Sequence, residues 1–361
     1  MNNKIVTIIG ARPQFIKASV VTNAFAKKGL QEVMVHTGQH FDENMSRIFF
    51  TEMGIPETAC NLNIHSLSHG AMTGRMLEET EKILQQEQPT MMVVYGDTNS
   101  TLAGALAAKK LHIPVAHSEA GLRSFNMQMT EEVNRILTDR ISDLLFCPTK
   151  LAVANLEKEG FDHFPSKIML SGDVMQDAAI FYAEKAREYS TVLSRLSTGD
   201  KPFVLCTFHR QENTDDPERL GEIVAGLNEL SHAYQIILPI HPRTRKIISE
   251  SGLELAFEPV DPVGFLDMAM LLEHCAFVVT DSGGLQKEAF FHKKYCITLR
   301  DETEWMELVD AGVNFLAGAD KNLLLEATSK LKNLAAEFNQ DLYGGGKASE
   351  FIAGEILNAI S

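Results

Sequence analysis

Ile5-Val6-Thr7-Ile8-Ile9-Gly10-Ala11-Arg12-Pro13-Gln14-Phe15-Ile16-Lys17 is a β-branched apolar run that stops at a glycine and passes into a segment led by an arginine. The run is too short to cross a bilayer or to form the apolar core of a secretion signal, and it reads as a buried strand. Its junction with the next segment sets a strand's carboxyl end against a helix N-terminus. Free N–H groups and the positive end of the helix dipole favour an anion there. The spacing is neither G-x-G-x-x-G nor a Walker loop, so dinucleotide binding in its usual mode is not expected. Taken alone, the segment also reads as a plain βα turn with a surface arginine.

Outward from this junction, short apolar runs alternate with amphipathic stretches, the pattern of βαβ units and parallel sheets. Strands are expected at Ile5–Ile9, Glu32–His36, Met91–Tyr95, Val115–His117, Asp143–Cys147 and Lys167–Leu170. After a helical, polar stretch over Gln176–Asp200, a second series is expected at Phe203–Thr207, Gln235–Pro239, Ala256–Glu258, Phe277–Thr280 and Tyr295–Thr298. Lys321–Phe338 and Ala348–Ile360 read as helices on either side of Gly344-Gly345-Gly346. A chain of 361 residues exceeds the size at which one core usually stops growing, so two domains are expected, 1–173 with 347–361 and 174–346.

The net charge of −15 argues against nucleic acid or an anionic membrane as partner, because either demands a basic face. A diphosphate remains compatible, since a few arginines and helix N-termini suffice to hold it. Five scattered cysteines without a C-x-x-C pair suggest neither a disulfide framework nor zinc, and fit a reducing compartment. No D-x-D, H-E-x-x-H or Cys/His cluster occurs, so no metal is expected.

Other strand ends carry chemistry. Thr280-Asp281-Ser282-Gly283-Gly284-Leu285-Gln286-Lys287-Glu288 opens a helix with small residues that let a phosphate approach the backbone, with Glu288 placed to meet a ribose hydroxyl. Simple N-capping by Asp281 or Ser282 is the alternative. Gly96-Asp97-Thr98-Asn99-Ser100 and His117-Ser118-Glu119-Ala120-Gly121-Leu122-Arg123 follow two further strands, and Glu131, Glu132 and Arg135 follow closely. Paired carboxylates are what proton removal and return at carbon require, although one of Glu131 and Glu132 reads as solvated helix surface. Phe208-His209-Arg210-Gln211-Glu212-Asn213 brings a titrating group and an arginine to a strand end in the second half, and Arg300 stands just past its last expected strand.

The ordered set G-A-R-P-Q-F-I-K, G-D-T-N-S, H-S-E-A-G-L-R, E-E-V-N-R, F-H-R-Q-E-N, D-S-G-G-L-Q-K-E and R-D-E-T-E resembles the non-hydrolysing UDP-N-acetylglucosamine 2-epimerase family from about residue 4 to residue 320. The resemblance implies an α/β fold of two Rossmann-like domains facing across a cleft, as in GT-B glycosyltransferases, with parallel sheets and a C-terminal helix returning to the N-terminal domain. It implies a cytoplasmic homodimer that takes a UDP-sugar, without cofactor, nucleic acid or membrane. Asp97, Glu119 and Glu131 match the family's essential carboxylates and His209 its essential histidine. Arg12, Lys17, Arg210, Ser282, Gly283, Gly284, Glu288 and Arg300 match nucleotide- or phosphate-binding positions. Gln39, Arg75, Arg210 and His241 resemble an allosteric UDP-sugar site, with Asp42 where a glutamine is usual.

The chain also departs from the common pattern. Many members carry Thr-Arg-Pro-Glu where this one has Ala11-Arg12-Pro13-Gln14, and Trp305 is atypical. Both departures resemble the branch acting on UDP-2,3-diacetamido-2,3-dideoxyglucuronic acid. A neutral Gln14 would ease binding of a substrate with an extra carboxylate, or would mean nothing on a helix surface. Rival readings are a hydrolysing epimerase, a GT-B glycosyltransferase needing an acceptor, and a non-catalytic sugar-nucleotide sensor.

Overall fold

The computed structural model describes residues 3–39, 60–198, 201–332, 334, 338 and 340–361. The chain divides into two compact units, Met1–Ala178 with Asp341–Ser361, and Ala179–Gln340.

The first unit is built on seven strands: β1 (Lys4–Ile9), β2 (Gln31–His36), β3 (Cys60–Asn61), β4 (Met91–Tyr95), β5 (Val115–Ser118), β6 (Leu144–Cys147) and β7 (Lys167–Leu170). They pair in parallel in the order β3-β2-β1-β4-β5-β6-β7. Ile8 lies opposite Val35 on one side and Val94 on the other, and all three are buried. Strands covered on both faces must be apolar throughout, which is why β1 and β4 read as unbroken apolar runs. The order reverses between β1 and β4, so the segments leaving these two strands diverge and open a crevice at their carboxyl ends.

The C-terminal helix, Ala348–Ile360, packs on the helix Arg12–Lys27 of this unit. Buried Asp177 starts it, accepting hydrogen bonds from Ala348 N at 3.1 Å and Ser349 N at 2.7 Å.

The second unit carries β8 (Phe203–Thr207), β9 (Gln235–Ile237), β10 (Val278–Thr280), β11 (Cys296–Thr298) and β12 (Asn314–Leu316), parallel in the order β12-β11-β10-β8-β9. Successive strand residues point to opposite faces. Val204, Cys206, Val279 and Ile297 enter one apolar layer with Leu220, Leu227 and Leu324, whereas Phe203, Leu205, Val278 and Cys296 enter another with Leu271 and Leu272. Here the order reverses between β8 and β10.

The elements differ from expectation in four places. Ala256–Glu258 is not a strand; the pairing there is a single bridge between Pro239 and Val260. Pro259 and Pro262 flank that bridge and lack the N–H a ladder needs. The short strands β3 and β12 were not expected. The stretch read as one helix after Gln176 is two, Val174–Tyr189 and Val192–Arg195. The helix expected at Lys321–Phe338 is described over Lys321–Leu331, and part of the remainder lies outside the described residues.

Asp177→Ala removes the only side-chain carboxylate seen capping the final helix among the described residues. It should lower unfolding stability by about 1–3 kcal/mol in denaturant titration, the scale of a lost cap with buried N–H groups left unpaired.

Candidate active site

At the β1/β4 reversal the two turns approach closely. A Cβ on Gly10 would stand 2.1 Å from Ser100 Oγ and 2.3 Å from Thr37 Oγ1, so only glycine fits. Those two hydroxyls are 2.8 Å apart, and Gln39 Oε1 accepts from Ser100 N at 3.1 Å and Ser100 Oγ at 2.7 Å. Thr98 caps the helix Asn99–Lys110, its side chain accepting from Thr101 N.

Asp97 lies in the turn after β4 and is ion-paired with Arg135, while Asn134 Nδ2 donates to its backbone carbonyl at 2.9 Å. Glu119, in the turn after β5, is ion-paired with Lys17, and both side chains are nearly buried. Glu119 has φ +70°, a conformation costing a non-glycine residue on the order of 1–3 kcal/mol. Its neighbours hold it there: Ser118 O accepts from Gly96 N at 2.9 Å and Ala120 N donates to Phe146 O at 3.1 Å.

A buried polar layer supports both turns. His117 Nε2 donates to Gly96 O at 2.7 Å and its Nδ1 stands 2.7 Å from Asp139 Oδ1. Asp139 Oδ2 accepts from Gly121 N at 3.1 Å and Arg123 Nη1 at 2.7 Å. The His and Arg of H-S-E-A-G-L-R therefore brace the backbone around Glu119. Asp139 escaped the sequence reading because nothing local ties it to a histidine 22 residues away.

Adjacent Glu131 and Glu132 have opposite environments. Glu131 is exposed in the first turn of the helix Thr130–Ile141. Glu132 is fully buried, accepts from Ser124 N, Ser124 Oγ and Phe125 N at 2.9–3.0 Å, and pairs with Arg135 at 2.9 Å. Burial alone would raise its pKa; these N–H and O–H donors and Arg135 outweigh it and hold the carboxyl below its usual value.

Gln14 corrects both readings made of it, since it is neither on a helix surface nor displayed to solvent. It is 2% exposed and its amide is spent on five hydrogen bonds within the unit. Arg12 and Arg75 are exposed, Arg12 at the start of the first helix and Arg75 on the helix His69–Glu87. Asp42 lies outside the described residues.

In the second unit the β8/β10 reversal brings together the two turns that carry His209, Arg210 and Ser282. Asp281, fully buried, accepts from His209 N at 2.9 Å, Arg210 N at 2.9 Å and Asn213 Nδ2 at 3.2 Å. The His209 side chain is 57% exposed. Ser282 caps the helix Gly283–Phe291, so Gly283 and Gly284 form its first turn. A Cβ at Gly283 would lie 2.1 Å from Glu304 Oε1 and 3.5 Å from Trp305 Nε1. Arg300 is 9% exposed and donates to Glu304 at 2.7 Å, with Glu212 3.7 Å away. Burial opposes ionisation of Glu304, but its own backbone N–H, Arg300 and the charge of Arg210 hold its pKa below the usual value. The ammonium of Lys287 lies 4.2 Å over the Trp305 ring. Glu288 is half-buried on the same helix as the glycines, and His241 caps the helix Pro242–Glu250 through Arg243 N. Among the described residues no group of His, Cys, Asp or Glu is arranged to hold a metal ion, and no helix is long and apolar enough to cross a membrane.

Parallel sheets that collect carboxylates, cations and glycine-rich helix starts at their points of reversal define an α/β enzyme. The family model described as UDP-N-acetylglucosamine 2-epimerase matches residues 23–357, and the chain belongs to that family; it is an isomerase. A Pseudomonas aeruginosa relative, UDP-2,3-diacetamido-2,3-dideoxy-D-glucuronate 2-epimerase, is 54% identical over 97% of this chain and 98% of its own length. The crystal structure of Methanocaldococcus jannaschii UDP-GlcNAc 2-epimerase in complex with UDP-GlcNAc and UDP matches with TM-score 0.85 at 42% identity, covering 99% of both chains. The Neisseria meningitidis UDP-GlcNAc 2-epimerase bound to UDP-GlcNAc matches with TM-score 0.86 at 28% identity, over 98% of this chain and all of that one.

Glu132→Gln should lower stability at neutral pH by about 1–3 kcal/mol, whereas Glu131→Gln should leave it within about 0.5 kcal/mol. The contribution of Glu132 is present above the carboxyl's unfolded value and is lost as pH falls through its lower folded value. The gap between wild type and Glu132→Gln, followed by thermal unfolding, should therefore close in acid.

Proposed function

We propose that the chain inverts C2 of a UDP-linked N-acetylated hexosamine without hydrolysing it. The observation that carries this is the pair of carboxylates, Asp97 and Glu119, each ion-paired with a cation on neighbouring turns of one sheet, in a chain of the epimerase family. C2 of such a sugar has no adjacent carbonyl, so its proton is too weakly acidic for simple removal and return. Expelling UDP solves this. As a base takes the C2 proton, the C1–O bond to UDP breaks and a C1=C2 double bond forms. Return of a proton to the opposite face of C2 and of the UDP oxygen to C1 gives the epimer, with the nucleotide conserved.

Asp97, Glu119 and Glu131 are the candidates for proton transfer. Exposure suits Glu131 to meeting a substrate, and the Lys17 pair suits Glu119 to holding a fixed charge. Arg210, Ser282, Gly283, Gly284 and Arg300 of the second unit are proposed to bind the diphosphate, where N–H groups and cations stabilise the departing charge. Arg12 and Lys17 are proposed as substrate-binding groups of the first unit, and His209 as a further catalytic group. Glu288 is proposed for the ribose. A cytoplasmic homodimer is the assembly proposed.

For the sugar itself we favour UDP-2,3-diacetamido-2,3-dideoxy-D-glucuronate, on the 54% identity to the Pseudomonas aeruginosa relative against 42% to the Methanocaldococcus jannaschii enzyme. Gln14, being buried, contributes nothing to this choice.

Turnover of the candidate UDP-sugars in D2O, followed by NMR, should place deuterium at C2 and keep the nucleotide as UDP-sugar; an epimer with unexchanged hydrogen at C2 would rule out proton transfer. Asp97→Asn, Glu119→Gln and Glu131→Gln should each reduce turnover at least about 100-fold in folded protein. In direct competition, kcat/KM for the diacetamido-glucuronate should exceed that for UDP-N-acetylglucosamine, and equal or better use of the latter overturns the choice of sugar alone.

A further inference from the structure

Among the described residues, the amide of Gln14 joins the turn after β1 to the turn after β4 through both of its polar atoms. Its Oε1 accepts from Gly10 N at 2.7 Å and Ala11 N at 3.0 Å. Its Nε2, with two hydrogens, donates to Tyr95 O at 2.7 Å and shares the other between Thr98 Oγ1 at 3.0 Å and Thr101 Oγ1 at 2.9 Å. The orientation of the amide follows from its partners, because two backbone N–H groups require an acceptor and a backbone carbonyl requires a donor.

Tyr95 precedes Asp97 by two residues and Thr98 follows it by one, so the amide grips the chain on both sides of that carboxylate. Thr101 Oγ1 also donates to Tyr95 O at 2.6 Å and accepts from Thr98 N at 3.2 Å, which closes the turn into one hydrogen-bonded unit. Other contacts fix the turn from elsewhere: His117 reaches Gly96 O, Asn134 reaches Asp97 O, and Arg135 holds the carboxylate. Those elements come from β5 and the helix after it. Gln14 alone among these groups comes from the first helix, whose N-terminus carries Arg12.

We propose that Gln14 is a positioning residue that sets the Asp97 carboxylate against the groups on the first βα turn. The proposal rests on the reading of Asp97 as a proton-transfer group. A buried amide with every polar atom used has little freedom to move, and reacting groups displaced by about 1 Å can lose about 100-fold in rate. Because Gln14 touches no substrate in this scheme, its removal acts on turnover rather than on substrate affinity.

Gln14→Met keeps the length and removes all five bonds. It should lower kcat about 10- to 100-fold with KM changed by less than about 3-fold, measured on protein shown to be folded at the assay temperature. Gln14→Glu retains acceptors for Gly10 N and Ala11 N and disturbs chiefly the Tyr95 contact, so it should fold and lose less of the same parameter. Combined with Asp97→Asn, Gln14→Met should cause no further loss, because the group it positions is already gone. Wild-type kcat in both folded Gln14 variants, a loss confined to KM, or a full additional loss in the double variant overturns the proposal. Should Gln14→Met fail to fold, Gln14→Glu and its own double variant decide by the same criteria. Near wild-type turnover of Asp97→Asn overturns the proton-transfer reading together with this proposal; an inactive Asp97→Asn beside fully active Gln14 variants overturns this proposal alone.

Discussion

Parallel pairing on both edges of a strand that comes early in the chain order is the constraint from which the rest follows. In the first unit β1 has β2 on one side and β4 on the other; in the second, β8 has β9 and β10. The segments leaving such neighbours must go to opposite faces of the sheet, so their turns part at the carboxyl ends and expose two helix starts side by side. The gap must remain open for a ligand, yet the turns that border it need fixed positions. Each unit meets this need with a buried polar side chain: Gln14 ties the turns after β1 and β4, and Asp281 ties the turns after β8 and β10.

Both residues satisfy backbone groups that would otherwise be buried without partners, at a cost of roughly 1–3 kcal/mol each. The chemistry differs with the task. Asp281 receives only N–H groups and can be a carboxylate, whereas Gln14 must also donate to Tyr95 O and so is an amide. The charged side chains near them are paired as well. Lys17 pairs with Glu119, Arg135 with Asp97 and Glu132, and Arg300 with Glu304, so in a chain of net charge −15 each of these cations is held by carboxylates of its own unit.

Much of this fold could be read from the sequence because parallel strands are apolar on both faces. Met91–Tyr95, Lys167–Leu170 and Phe203–Thr207 have the bounds the pattern suggests. Cys60–Asn61 and Asn314–Leu316 are short edge strands of mixed polarity, so periodicity gives them no signal, and the apolar character around Ala256 overrode the two prolines that stop pairing there. At the site, the sequence pointed to the turns and their charged residues, but it did not reveal which polar groups are structural. Glu131 and Glu132 look alike in sequence and differ by burial, and the partners Tyr95, Thr98 and Thr101 of Gln14, like those of Asp281, lie more than 65 residues away. Long-range polar satisfaction is invisible to local pattern.

Proton transfer is proposed for groups on the first unit, and retention of the leaving nucleotide for the turns of the second. Calorimetric titration with UDP tests this division directly. Asp97→Asn and Glu131→Gln should bind UDP as wild type does while turning over no sugar, and Arg210→Ala and Ser282→Ala should each weaken UDP about 10-fold or more, the scale of a lost hydrogen bond to a charged group. Wild-type affinity in the Arg210 and Ser282 variants, with loss of UDP binding in the Asp97 and Glu131 variants, would contradict it.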